Sequence, residues 1–112
     1  MKRLKFRAWY VEREEYYDVV FMNLAEDTIC VANEYDYQCI SFDEVVLEQF
    51  SGHYDKSGKE IYEGDVVELW NSVTHKTTYA IIEYNRISIT EQYEIDVVGN
   101  IHENEEQINE IQ

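Results

Sequence analysis

The residues of this chain that could do chemistry are few, and their spacing suits little of it. Three histidines, His53, His75 and His102, two cysteines, Cys30 and Cys39, and 24 acidic side chains supply most candidate ligands and bases. Zinc sites need Cys or His pairs at short fixed spacings, and none of these fits, so no metal is expected. His53 with Asp55 and Asp65 comes nearest to a hydrolytic set, which would still require a pocket to close over it. Ser51 precedes Gly52 without the Gly-x-Ser-x-Gly elbow that exposes a serine nucleophile. Gly52, Gly58 and Gly64 could outline a phosphate loop, but Gly58-Lys59 runs into Glu60 with no hydroxyl residue and no following helix. The adjacent pairs Glu14-Glu15 and Glu105-Glu106 would point to opposite faces of a strand. A non-catalytic protein without a cofactor is expected.

Binding is the alternative to catalysis, and charge limits the partners. The first eleven residues hold four of the nine basic residues and no acid, so the chain beyond Val11 carries a formal charge of −19 within a total of −15. Such a surface repels phosphates and anionic membranes and attracts basic proteins. Direct nucleic-acid and membrane binding are therefore not expected. One basic strand stands apart: Arg3, Lys5, Arg7 and Trp9 would share a face, with Leu4, Phe6, Ala8 and Tyr10 on the other. A cationic stripe ending in an indole is a candidate stacking platform for single strands. The competing reading is that these cations pair with carboxylates on neighbouring strands. Ten tyrosines and two tryptophans suit strands and cores, including Tyr79, Tyr84 and Tyr93. Tyr16-Tyr17 and Tyr35-x-Tyr37 are instead candidates for an exposed protein interface.

These side chains must be positioned by strands. No run approaches a bilayer-spanning length, no signal-peptide pattern opens the chain, and 45% hydrophobic content suffices for a core, so a soluble, cytoplasmic protein is expected. In that compartment Cys30 and Cys39 would remain thiols. Alternation predicts strands over residues 4–11, 16–24, 28–32, 37–42, 66–70, 77–84, 87–90 and 93–98. Residues 44–50 are read as a strand although Ser41-Phe42-Asp43-Glu44 has the form of a capping box. Between them, residues 50–65 form the main irregular region, with tight turns at Asp55-Lys56-Ser57-Gly58 and Glu63-Gly64-Asp65. The division is an N-terminal β region over 1–49, a small β barrel or roll over 50–102, and an acidic tail over 103–112 that Asn104 could cap as a short helix.

Two segments carry a family resemblance. FSGHYDKSGKEIYEGDVVEL, residues 50–69, resembles the signature of the YopX family of phage and prophage proteins, most closely over 55–67. Asp96-Val97-Val98-Gly99-Asn100-Ile101-His102-Glu103-Asn104 resembles its closing motif, and Lys5-Phe6-Arg7-Ala8-Trp9 its first strand. Residues 22–38 match no part of the pattern. His102 stands where an aromatic residue is usual, and Glu105 where a proline is common. The resemblance implies a mostly-β fold whose N-terminal hairpin region packs on an SH3-like small barrel, inside a bacterial host cell, with self-association. It implies no reaction. The signature itself reads as a scaffold of glycine turns, a tyrosine packed across them and an aspartate bonding turn amides; a binding loop at His53, Tyr54, Asp55, Tyr62 and Asp65 is the competing use. Two functions follow as expectations. The first is a protein-binding or homo-oligomeric β module; the second is an acidic DNA mimic that blocks a basic host nucleic-acid or defence enzyme.

Overall fold

Alternation of apolar and polar residues decides most of the architecture. The computed structural model describes residues 4–83 and 92–103. Among these the strands are β1 (Phe6–Tyr10), β2 (Glu15–Asn23), β3 (Thr28–Ala32), β4 (Tyr37–Ile40), β5 (Val45–Tyr54), β6 (Glu60–Tyr62), β7 (Asp65–Asn71), β8 (Lys76–Ile81) and β9 (Tyr93–Asn100). They form two antiparallel sheets, β4-β3-β2-β1-β5-β6 and β8-β7-β9, with no α-helix among the described residues. The chain divides into two compact units between Gln49 and Phe50, a boundary that β5 crosses.

In the first unit, period-2 alternation places Ala8, Tyr10, Tyr17, Ile29, Val31 and Val45 in one buried cluster, with Val19, Ile40, Phe42 and Leu47 against it. The opposite, outer face takes Arg7 and Trp9 of β1, aligned with Asp18 and Tyr16 of β2 and with Glu48 and Val46 of β5. The ambiguous stretch before β5 resolves into both of its signals. The Ser41 amide donates to Glu44 Oε2 at 2.9 Å, as in a capping box, yet only a single 3-10 turn forms at Phe42–Glu44. β-Branched Val45 and Val46 then enter the ladder with β1, whose pairing outweighs further helix.

Two features of this unit depart from expectation. Cys30 and Cys39 are directly opposite on β3 and β4 and form a disulfide rather than remaining thiols. Cross-strand register, invisible in a nine-residue sequence separation, brings the sulfurs together. The second feature is a β-bulge between Val19 and Phe21: Val19 pairs with Val31, Phe21 with Cys30 and Met22 with Ile29. Strict alternation would send Phe21 to the core side with Tyr17 and Val19. The extra residue turns it to the outer face and brings Met22 inward.

In the second unit, much of the expected irregular region is strand. β5 continues to Tyr54 and pairs with β6, and a bulge between Phe50 and His53 is accommodated by Gly52 at φ 86°. β7 lies between β8 and β9, and Ile61, Val67, Ile82 and Ile95 are buried with Leu69, Ala80, Tyr93 and Val97 packed around them. Tyr79, expected in the core, instead faces outward, directly opposite Glu68. The β8-β7-β9 sheet is open among the described residues, so they show two antiparallel sheets and no closed SH3-like barrel. Tyr84, the strand expected at 87–90, and the tail from Asn104 onward lie outside the described residues.

Candidate functional site

Asp55 organises the signature segment. Its Oδ1 accepts hydrogen bonds from the Ser57 amide (2.9 Å), the Ser57 hydroxyl (2.8 Å) and the Lys59 amide (2.8 Å). Its Oδ2 accepts from the Val97 amide of β9 at 3.1 Å. Gly58 closes this turn at φ 88° and donates to the Asp55 carbonyl at 2.9 Å. Burial alone would raise the Asp55 pKa, but the Ser57 hydroxyl and the Lys59, Val97 and Ser57 amides hold it below the ordinary aspartate value. The Lys56 amide donates to the Ile95 carbonyl at 2.9 Å, fixing the same turn to β9 a second time.

The second turn is built alike. Asp65 Oδ2 accepts from the Tyr62 amide at 2.8 Å, and the Tyr62 ring lies 5.5 Å from that of Phe50. Around Gly64 the backbone connects three segments: Gly64 donates to Ile82, Ile82 to Asp65 and Ile101 to Gly64, at 2.9, 2.8 and 2.9 Å. Asp65 sits opposite Asn100 and Val66 opposite Gly99, so the two motifs, remote in sequence, occupy neighbouring strands. Asn100 Oδ1 then accepts from the His102 amide at 2.9 Å.

This geometry orders the binding-loop candidates. Asp55, Tyr62 and Asp65 are buried, and the carboxylates are engaged by backbone donors; His53 and Tyr54 are exposed. Asp55 and Asp65, which with His53 come nearest to a hydrolytic set in the sequence, both accept hydrogen bonds from turn amides. Among the described residues no group of three or more His, Cys, Asp or Glu is arranged to hold a metal.

The basic strand is likewise occupied. Arg7 Nε donates to Glu48 Oε1 at 2.8 Å, its guanidinium lies 4.0 Å from the Tyr16 ring centroid, and the Tyr16 hydroxyl donates to the same Glu48 oxygen at 2.9 Å. Trp9 is buried, edge-on to Tyr16 at 4.9 Å. The indole therefore offers no open stacking face, a correction to the platform reading. Lys5 is exposed, and Arg3 lies outside the described residues.

Sequence reasoning missed two constellations. Asp36 accepts from Arg13 Nη1 (2.8 Å), the Tyr17 hydroxyl (2.8 Å) and Gln38 Nε2 (2.9 Å), which ties the β3–β4 turn to β2. The Gln38 and Tyr17 hydrogen bonds lower the Asp36 pKa against partial desolvation, helped by the Arg13 charge. The other is apolar: beside the disulfide, Phe21 is 54% and Tyr37 60% exposed. The Tyr35-x-Tyr37 signal pointed toward it, but only the bulge brings Phe21 there.

What emerges is a small all-β protein whose glycine-rich signature serves its own backbone. The model of the YopX family, described as YopX protein, matches residues 5–109, and the chain belongs to that family. Among solved structures it is similar to the crystal structure of protein EF1440 from Enterococcus faecalis, with a TM-score of 0.60 and 20% identity over 96% of this chain and 99% of that one. At that identity the likeness is one of fold. No curated protein matches the chain.

Proposed function

We propose that the protein is a non-catalytic accessory protein of phage or prophage, acting through a β module that binds protein, its own copies included. An SH3-like second unit belongs to the same proposal. The observation that carries it is the division of labour just described. The signature, where a catalytic set would be sought, is consumed by turn amides, while apolar and aromatic side chains stay exposed on the first unit. Affinity capture from bacterial extract, repeated at high salt and joined to sedimentation analysis, tests it. A salt-resistant stoichiometric partner or a stable oligomer is the expected result; a monomer without any partner would overturn the reading.

A second reading has its own observation. On the outward side of the β8-β7-β9 sheet, Glu68 is directly opposite Asp96, and Glu94 is opposite Trp70. Like charges placed opposite each other on a sheet cost stability, and Lys56 Nζ approaches Asp96 at 3.8 Å. A carboxylate array on a rigid sheet suits a decoy for a basic groove that normally holds phosphates. Competition with DNA for a basic host enzyme, lost in a Glu68→Lys, Glu94→Lys variant, is its expected signature. Unchanged competition by that variant would remove this face from consideration.

A further inference from the structure

The outer face of β2, β3 and β4 is apolar where an antiparallel sheet with one packed face should be polar. Its members follow from register: Phe21 beside Cys30 and Cys39, and Tyr37 beside Ala32, with Val20 in the bulge. The bulge is what commits Phe21 to this face, and it does so by interrupting the ladder. A regular strand would have placed that ring among Tyr17, Val19 and the core. Phe21, Val20 and Tyr37 all remain more than half exposed, whereas Cys30 beneath them is 6% exposed.

Charge selects what could cover it. Residues 15–40, the whole of these three strands and their turns, contain six Asp or Glu and no Lys or Arg. Asp18 belongs to the face itself, aligned with Ala32 and so with Tyr37. Two cations border this region: Arg13 is bound to Asp36 at 2.8 Å, and Arg7, opposite Asp18 on β1, is bound to Glu48 at 2.8 Å. An anionic membrane would be repelled. A second copy laid face to face would set carboxylates against carboxylates, an arrangement that costs affinity. We infer that this face docks a protein segment with an apolar centre flanked by lysines or arginines, Phe21 and Tyr37 being the anchors and Asp18 with the turn carboxylates the rim.

This inference rests on the protein-binding reading, and the experiment separates the two. An octapeptide alternating lysine and valine, and its glutamate-valine counterpart, are titrated into the 15N-labelled full chain and followed by NMR. The lysine peptide is expected to shift the amides of Phe21, Cys30 and Tyr37 most strongly, and the glutamate peptide to leave them unmoved. Phe21→Ser and Tyr37→Ser, both at exposed positions, should each weaken binding by about tenfold, the scale of an anchor truncation, without altering the remaining spectrum. Shifts spread over the carboxylates of both units and indifferent to Phe21→Ser would overturn the assignment. So would no binding, or a dimer that Phe21→Ser dissociates, which makes the occupant a second copy. Affinity capture with wild type and Phe21→Ser in parallel distinguishes the failures. The same partner on both leaves the binding module standing and removes this face, whereas no partner on either removes the module.

Discussion

A single carboxylate, Asp55, holds four hydrogen bonds that join a glycine turn to β9. Asp55→Ala takes the acceptor from the Ser57, Lys59 and Val97 amides and should cost about 2–4 kcal/mol by denaturant unfolding, since a hydrogen bond to a charged group contributes about 1.5–3 kcal/mol. Asp55→Asn should cost less, because its one carbonyl oxygen can replace Oδ1 while its amide faces the Val97 N–H. A pH dependence accompanies this role. With the folded pKa depressed, the carboxylate's contribution is fully present above the ordinary aspartate pKa, near 4, and is lost as pH falls through the lower folded value. Asp36 titrates in the same direction. Acid unfolding should therefore begin below about pH 4 and be shallower in Asp55→Asn. The Asp-Lys-Ser-Gly pattern made this turn legible, since Asp before Gly is turn chemistry. Glu48 was not legible. It occupies an alternating strand position yet is 2% exposed, because its partner Arg7 lies 41 residues away. Glu48→Ala removes the acceptor shared by Arg7 and the Tyr16 hydroxyl and should cost about 1.5–3 kcal/mol, the scale of a hydrogen bond to a charged group, measured in the same unfolding assay.

Strand positions show where alternation informs and where it stops. β1, β2, β3 and β9 fall within a few residues of the segments read from sequence, because their apolar and polar residues alternate. β6 escaped notice: three residues between glycine turns give too short a pattern, and its pairing depends on β5 bending at Gly52. The disulfide escaped for a related reason, since redox reasoning concerns compartment and not register. Cys30–Cys39 clips the β3–β4 hairpin, which already has four paired positions. Reduction should therefore loosen this element without dissolving the sheet. For a loop of this length the expected loss is about 2–3 kcal/mol. Matched unfolding curves with and without reductant would show it, with Cys39→Ser insensitive to reductant as the control. A curve unchanged by reductant in the wild-type chain would contradict the structural role.

At the scale of the molecule, the −15 charge acts on folding and on binding with opposite signs under salt. Many carboxylates within a Debye length repel one another in the compact state, and salt screens that repulsion. The buried Arg7–Glu48 pair, 13% and 2% exposed, is screened far less than surface charges. Raising NaCl from about 10 to 200 mM should therefore stabilise the fold; a gain of about 1 kcal/mol corresponds to about 4–8 °C in the midpoint for a small domain. Association with a basic partner should weaken over the same range. How steeply it weakens separates the two functional readings. A phosphate decoy on the Glu68, Asp96 and Glu94 face depends on charge throughout and should lose affinity steeply. A partner seated on Phe21 and Tyr37 gains from apolar burial, which salt does not screen, so only its acidic rim responds. Thermal midpoints and dissociation constants measured on one salt series would display both trends. A midpoint that falls with salt would show that attractive surface pairs outweigh the repulsion, and would exclude net charge as a destabilising force in this fold.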